Sequence, residues 1–250
     1  MLVSYRHEFI FVKTRKTAGS AVELAFEPFV RSPDAAVSGT RDSFATAQCV
    51  TRDGIIGARS QAFKEKATYF DHMQARDIRR MVGADVWSRF FKFCTIRNPW
   101  DKTVSAFYFA RPAVREKTVS KQIEIFRAWL GRDDVRKLRD RDIYYIKDRP
   151  AMDDYIRFHR LSEDVERIAD KLRLPVENLP EIHRQSRNRA IAYADFYDDS
   201  ARERVADMYR CEIADFGWRF EGDEDIAFPK PSRLPVQSEL VGRLGAWLGR

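Results

Sequence analysis

A loop of basic and small side chains, residues 13–19, follows a short apolar run near the start of the chain. The run Phe9–Val12 is apolar at every position, which predicts a strand buried on both faces. Ser20 suits the N-cap of a following helix, because its hydroxyl can accept a hydrogen bond from a first-turn N–H. A strand, a loop and a helix start in this order direct backbone N–H groups and the positive end of the helix dipole at one point. With Lys16 in the loop, that point suits a phosphate or a sulfate group.

This loop differs from the P-loop of magnesium-nucleotide enzymes, which needs the pattern G-x-x-x-x-G-K-[ST]. It contains one glycine, Gly19, and Lys16 precedes that glycine. A basic turn between a strand and a helix is also common as a plain solvated turn. The segment alone therefore leaves anion binding and a surface turn open.

A second segment of the same kind begins with the apolar run at residues 90–96, which predicts another buried strand. Asn98 suits an N-cap and Pro99 suits the first helical position. Arg97 then lies at the carboxyl end of the strand, and Ser105 lies within the first turns of the helix. A guanidinium and a hydroxyl can together clamp a phosphate. An arginine paired with a nearby acid and a serine facing solvent form the alternative.

A histidine, His72, follows a third short apolar segment, residues 67–70, which resembles a strand. A helix is predicted over residues 75–82, with Gly83 just beyond its end. Ligands of open α/β sheets bind outside the carboxyl ends of the strands, and a histidine there can act as a general base near neutral pH. The alternative is that His72 is a capping or surface residue.

These repeated strand–helix units predict an α/β protein with a central, doubly wound parallel sheet flanked by helices and with anion sites at one edge. We expect a single domain over residues 1–220. The remaining tail, residues 221–250, contains a short amphipathic segment at residues 240–248 that is predicted to be helical.

The remaining elements are predicted from apolar periodicity and capping residues. A strand is expected over residues 155–161, and Ser162 is expected to cap the helix that follows. One long helix is expected over residues 199–216, and a short strand over residues 47–51. The mixed-charge run at residues 132–141 predicts a solvated helix face.

The composition of the 250-residue chain favours an anionic partner, because its formal net charge is +7. Basic side chains are scattered among acidic ones, so we expect no nucleic-acid partner. The three cysteines lie far apart without a C-x-x-C pair, and no zinc site or disulfide framework is expected. No apolar stretch approaches the length of a membrane span, and the N-terminus has no apolar core of a signal peptide, so a cytoplasmic location is expected.

Taken together, the two loop segments resemble those of sulfotransferases that use 3′-phosphoadenosine-5′-phosphosulfate (PAPS), in the branch that includes Golgi carbohydrate sulfotransferases and many bacterial relatives. Residues 15–20, RKTAGS, are similar to the family's 5′-phosphosulfate loop. Residues 93–107, FCTIRNPWDKTVSAF, are similar to its 3′-phosphate segment. The resemblance extends over about residues 5 to 220. It implies the family's fold, which is like that of P-loop nucleotide hydrolases.

The resemblance also implies a role for each candidate residue. Lys16 would stabilise the charge that develops on the leaving phosphate, and His72 would be the general base. Arg97 and Ser105 would bind the 3′-phosphate. The residues that would hold the 5′-phosphosulfate, beside Lys16, are Arg15, Thr17, Ala18, Gly19 and Ser20. A later basic loop would add two nucleotide contacts, Ser186 and Arg187.

The implied reaction is sulfuryl transfer to an acceptor hydroxyl, and the family suggests a sugar or glycoconjugate, with no metal required. Many members carry proline where this chain has Arg15, and glutamate where it has His159. Arg15 is expected to add an anion contact. A kinase-like nucleotide enzyme, a non-catalytic anion- or RNA-binding protein and a sulfotransferase without turnover stay open as alternatives. The sequence specifies neither the acceptor nor the oligomeric state.

Overall fold

The computed structural model describes residues 1–32, 47–59, 61–176, 179–180, 191–222 and 226–230. In these ranges the chain forms eight strands: β1 (Leu2–Ser4), β2 (Phe9–Val12), β3 (Cys49–Val50), β4 (Gly54–Ile56), β5 (Phe91–Ile96), β6 (Tyr145–Ile146), β7 (Arg149–Pro150) and β8 (Asp154–Arg157). No helix within them combines the length and the hydropathy that crossing a membrane requires.

Ten α-helices surround the strands in the same ranges. They are α1 (Gly19–Phe26), α2 (Gln61–Lys64), α3 (Ala75–Val82), α4 (Ala84–Arg89), α5 (Pro99–Ala110), α6 (Val119–Leu130), α7 (Arg141–Tyr144), α8 (Leu161–Leu172), α9 (Asp199–Met208) and α10 (Arg210–Phe216). Short 3₁₀ turns connect several of them, at Glu27–Phe29, Pro112–Glu116, Asp133–Leu138, Phe158–Arg160 and Tyr193–Phe196.

The main sheet has six strands in the order β3-β4-β1-β2-β5-β8, and β6 and β7 form a separate hairpin. The α/β class is confirmed, but the expectation of a parallel sheet holds only for β2, β5 and β8. The other half, β1, β3 and β4, is antiparallel, so the sheet is mixed. These added strands are two or three residues long, too short to show a periodic pattern in the sequence.

Successive side chains of β2 point to opposite faces of the sheet, and each face is covered by its own buried cluster. Phe9 and Phe11 belong to one buried cluster, which also contains side chains of α1 and α8. Ile10 and Val12 belong to the other, which contains side chains of α3 and α5. All four are fully buried. Strand β2 is therefore covered on both faces, as its unbroken apolar sequence predicts.

Several predicted elements are confirmed. The bounds of β2 agree, β5 begins one residue later than predicted, and α3 ends at Val82 with Gly83 as its C-cap at φ +91°. Asn98 caps α5, since its side chain accepts a hydrogen bond of 3.0 Å from the N–H of Trp100.

Two predicted helix caps are wrong. Helix α1 begins at Gly19 with Ala18 as its N-cap, so Ser20 lies inside the first turn. Helix α8 begins at Leu161, before Ser162, because the chain leaves β8 at Arg157 and turns at once. The carboxylate of Asp164, in the first turn of α8, accepts the backbone N–H of Arg157 at 2.8 Å and fixes this turn.

The predicted strand at residues 67–70 is a single bridge, between Phe70 and Ala58. The N–H groups of Thr68 and Tyr69 donate instead to the side-chain oxygen of Gln48, at 2.9 and 2.8 Å.

The predicted final helix is divided into α9 and α10 at Tyr209, whose buried hydroxyl donates to the carbonyl of Leu138 at 3.2 Å. The run at residues 132–141 contains the 3₁₀ turn Asp133–Leu138 instead of the predicted α-helix. Its residues Arg132, Arg136 and Arg139 are exposed as predicted, but Val135 and Asp140 are buried. The strand expected at residues 47–51 is reduced to Cys49–Val50. The tail segment at residues 240–248 lies outside the described residues.

Replacing Phe93 by alanine is expected to destabilise the sheet that carries the site. This ring is fully buried and lies 5.9, 5.3 and 5.1 Å, between ring centroids, from those of Phe9, Phe11 and Phe26. The free energy of unfolding, measured by urea denaturation, should fall by about 3–5 kcal/mol. Phe63→Ala, at a ring that is 41% exposed, is the control and should cost less than about 1 kcal/mol. Equal losses for the two variants would contradict this description of the core.

Candidate functional site

The candidate site lies at the edge where β2 and β5 end. These strands are parallel, with Val12 opposite Cys94, so their carboxyl ends reach the same edge of the sheet. Three buried threonine hydroxyls connect the two ends: Thr14 lies 2.8 Å from Thr17, and both lie within 3.0 Å of the hydroxyl of Thr95. The loop after β2 is therefore fixed to the end of β5.

The backbone of this loop is left-handed at two residues that are not glycine. Lys16 has φ +59° and Ala18 has φ +63°. Such conformations cost about 1–3 kcal/mol each and persist only where the surroundings hold them. No side chain caps the helix that follows, so the N–H groups at the start of α1 have no side-chain acceptor, although the N–H of Ala21 donates to the carbonyl of Ala18 at 2.9 Å. A helix start of this kind can accept an anion.

Arg97 links the two sequence segments directly. Its Nη1 donates a hydrogen bond of 2.9 Å to the carbonyl oxygen of Lys16. Its Nε pairs with Asp101 at 2.7 Å, and its guanidinium carbon lies 3.7 Å from the centroid of the Phe158 ring. Arg97 is therefore paired with a nearby acid, which was the alternative that the sequence left open. Its guanidinium also lies next to the Lys16 loop, as a role in anion binding requires.

The ammonium of Lys16 lies over an aromatic ring. Its Nζ is 4.1 Å from the centroid of Phe109, a ring that is 72% exposed at the end of α5. Burial, followed by the charges of Arg97 and Arg115, lowers the pKa of Lys16 from 10.5 to about 8. The positive charges of Arg97 and Arg115 disfavour the protonated form of Lys16, and for the same reason they favour an anion beside it.

His72 contacts the other side of the same loop. Its Nδ1 lies 3.1 Å from the carbonyl oxygen of Lys13, and its backbone is left-handed at φ +59°. A carbonyl oxygen only accepts, so Nδ1 carries the ring proton and Nε2 keeps its lone pair. Nε2 lies 3.5 Å from the carboxylate of Asp71. Burial lowers the pKa of His72 to about 4 despite Asp71, so the ring is neutral at pH 7.

The remaining residues that the sequence predicted for the site make no described contact with Lys16 or Arg97 through their side chains. The guanidinium of Arg15 pairs with Asp140 at 3.2 Å. To contact an anion as expected, Arg15 must either break this ion pair or bind the anion with its remaining N–H groups. Ser105 is buried in the second turn of α5. The candidates Ser186 and Arg187 lie outside the described residues.

A small cavity, about 10 Å³ in volume, lies beneath the loop and is lined in part by Thr17, Arg97, Lys102, Asp140 and Glu212. Its size corresponds to about one water molecule. Ligand pockets are at least an order of magnitude larger. The cavity is therefore too small to hold a nucleotide.

Sequence reasoning missed Asp140 and Lys102, which form a buried ion pair of 2.6 Å under the loop. The local sequence, NPWDKT, indicates only a helix start. In the structure this helix, α5, is buried on almost every side, and a buried lysine needs a carboxylate partner. The identity of that partner could not be read, because it comes from a distant segment.

No family model, curated protein or solved structure matches this chain. Within the described residues, no group of three or more histidine, cysteine, aspartate and glutamate side chains could hold a metal ion. The arrangement itself offers a lysine over an exposed ring, uncapped N–H groups and a neutral histidine. These groups can bind an anion and accept a proton beside it.

The ammonium of Lys16 is expected to titrate near pH 8. Because the folded pKa lies below 10.5, the unfolded chain binds more protons between pH 8 and 10.5, and the stability contribution of Lys16 rises with pH in that window. The measurement is the NMR titration of the ¹³C-methylated side chain, assigned with Lys16→Arg. Arg115→Gln should raise the midpoint. A midpoint near 10.5 in the unchanged protein would contradict the electrostatics described here.

Proposed function

We propose that the protein is a PAPS-dependent sulfotransferase that acts on an acceptor hydroxyl, with a sugar or glycoconjugate as the acceptor class. The observation that carries the proposal is the hydrogen bond between Arg97 and the carbonyl of Lys16. It brings together two segments, 81 residues apart, that resemble the two phosphate-binding segments of that family.

The donor substrate carries a 5′-phosphosulfate and a 3′-phosphate, and the site offers cations for both. The N–H groups at the start of α1 and the ammonium of Lys16 would bind the 5′ end. Arg97 would bind the 3′-phosphate, with Ser105 as its partner. Binding at Arg97 would have to compete with Asp101, which makes a 2.7 Å pair with it. An anion between Lys16, Arg97 and Arg115 would relieve the repulsion that lowers the lysine's pKa.

In the proposed reaction, PAPS supplies the sulfuryl group. The acceptor oxygen bonds to sulfur while the bond from sulfur to the bridging phosphate oxygen breaks, and the leaving bisphosphate keeps that electron pair. Lys16 stabilises the negative charge on the leaving oxygen. Nε2 of His72 takes the acceptor's proton, and Asp71 stabilises the imidazolium that forms.

Selective binding of 3′,5′-adenosine bisphosphate tests the donor site. In metal-free calorimetric titrations, the wild type should bind the bisphosphate in preference to ATP. Lys16→Ala and Arg97→Ala should each weaken binding by about 10- to 150-fold, the value of one charge-assisted hydrogen bond.

Matched controls are Lys121→Ala and Arg52→Ala, at exposed side chains on other elements, and both should bind like the wild type. Preference for ATP with Mg²⁺ would favour a kinase-like enzyme instead. Equal, strongly salt-dependent binding of the bisphosphate and of RNA would favour a non-catalytic anion binder.

Replacing His72 by alanine separates donor binding from sulfuryl transfer. His72→Ala should bind the bisphosphate within about threefold of the wild type, while transfer of ³⁵S from labelled PAPS to a panel of mono- and polysaccharides falls by about 10²- to 10⁴-fold. In the wild type, transfer should persist down to about pH 5, because His72 stays neutral until pH approaches 4. Full turnover in His72→Ala would assign the base elsewhere.

A further inference from the structure

Asp140 connects a distant segment of the chain to the Lys16 loop. Its carboxylate is almost completely buried, at 1% exposure. One oxygen, Oδ2, accepts the backbone N–H of Arg15 at 2.8 Å and the ammonium of Lys102 at 2.6 Å. The other, Oδ1, pairs with Nη1 of Arg15 at 3.2 Å. A backbone amide next to Lys16 is thus held by a side chain 125 residues away.

The position of this hydrogen bond matters because Lys16 has a strained backbone. Its φ of +59° is sparsely populated by residues other than glycine and needs support on both sides. Asp140 holds the N–H of the preceding residue, and Arg97 holds the carbonyl of Lys16 itself. The first bond fixes the peptide plane before Arg15 and the second fixes the plane after Lys16, so together they restrict the backbone angles of the two residues in between.

The charge of Asp140 would by itself oppose an anion at the loop. Lys102, buried at 2.6 Å from it, offsets that charge. The pair therefore supplies the loop with a buried hydrogen-bond acceptor and little net negative charge. A carboxylate that only balanced the charge of a buried lysine would not need to accept the Arg15 N–H as well.

We propose that Asp140 is a positioning residue for the anion site, which acts by holding the N–H of Arg15 and thereby the left-handed backbone at Lys16. The proposal rests on the proposed function in one respect, that the loop binds the donor's phosphate. It assigns a role to the segment between α6 and α7, which carries no recognisable motif.

Two double variants separate this role from simple charge balance. Asp140→Asn alone leaves Lys102 buried without a counter-charge and can prevent folding. Asp140→Asn/Lys102→Met removes both charges but keeps an oxygen that can accept the Arg15 N–H. Asp140→Leu/Lys102→Met is nearly isosteric and removes that oxygen. The two differ in the side-chain amide of residue 140, of which only the oxygen can accept the Arg15 N–H, and thermal unfolding should verify that both are folded.

Two readouts are measured on the wild type and both variants: the Kd of 3′,5′-adenosine bisphosphate, and the hydrogen-exchange rate of the Arg15 amide without ligand. The Leu-containing variant should show about tenfold weaker binding and about tenfold faster exchange, the effect of losing one hydrogen bond. The Asn-containing variant should stay within about threefold of the wild type in both.

Equal exchange rates and equal Kd values in the two double variants would overturn the positioning role while leaving the proposed function intact. Tighter binding in both than in the wild type would overturn it as well, because Asp140 would then act only through its charge. If the wild type does not bind the bisphosphate, the proposed function fails. The exchange rate of the Arg15 amide still decides whether Asp140 holds the loop.

Discussion

The site depends on a hydrogen bond of 2.9 Å between the guanidinium of Arg97 and the carbonyl oxygen of Lys16. The bond can form because β2 and β5 run parallel, with Val12 opposite Cys94, so that their final residues reach one edge of the sheet. It holds the loop in a conformation that an isolated peptide would rarely adopt. Together with the threonine contacts between the loop and β5, it brings the lysine, the uncapped end of α1 and the arginine to one place.

Charge balance distinguishes Lys16 from the other cations near the loop. Lys13 is paired with Glu23 at 2.8 Å, and Lys102 with Asp140 at 2.6 Å. Lys16 makes no ion pair in the part of the chain that the structure describes, and its ammonium lies over an aromatic ring instead. Burial, and after it the charges of Arg97 and Arg115, lower its pKa to about 8. Of these three lysines, Lys16 is the one without an acidic partner in the described residues, and it lies at the edge of the sheet.

The sequence predicted correctly those elements that are determined by a few adjacent residues. The apolar run of β2 and the N-cap at Asn98 were read correctly, since each depends on a few adjacent residues. The meeting of Lys16 and Arg97 followed from the parallel order of two strands. The antiparallel half of the sheet, the split of the last helix at Tyr209 and the hydrogen bonds of Asp140 depend on contacts between distant segments. No spacing in the sequence encodes those contacts.

The most direct test of the account is a crystal structure of the protein with 3′,5′-adenosine bisphosphate. We expect the 5′-phosphate within hydrogen-bond distance of N–H groups of residues 17–20, with the ammonium of Lys16 moved from the Phe109 ring to the phosphate. The 3′-phosphate should contact the guanidinium of Arg97. A nucleotide bound away from this loop, or a 3′-phosphate that does not reach Arg97, would contradict the account.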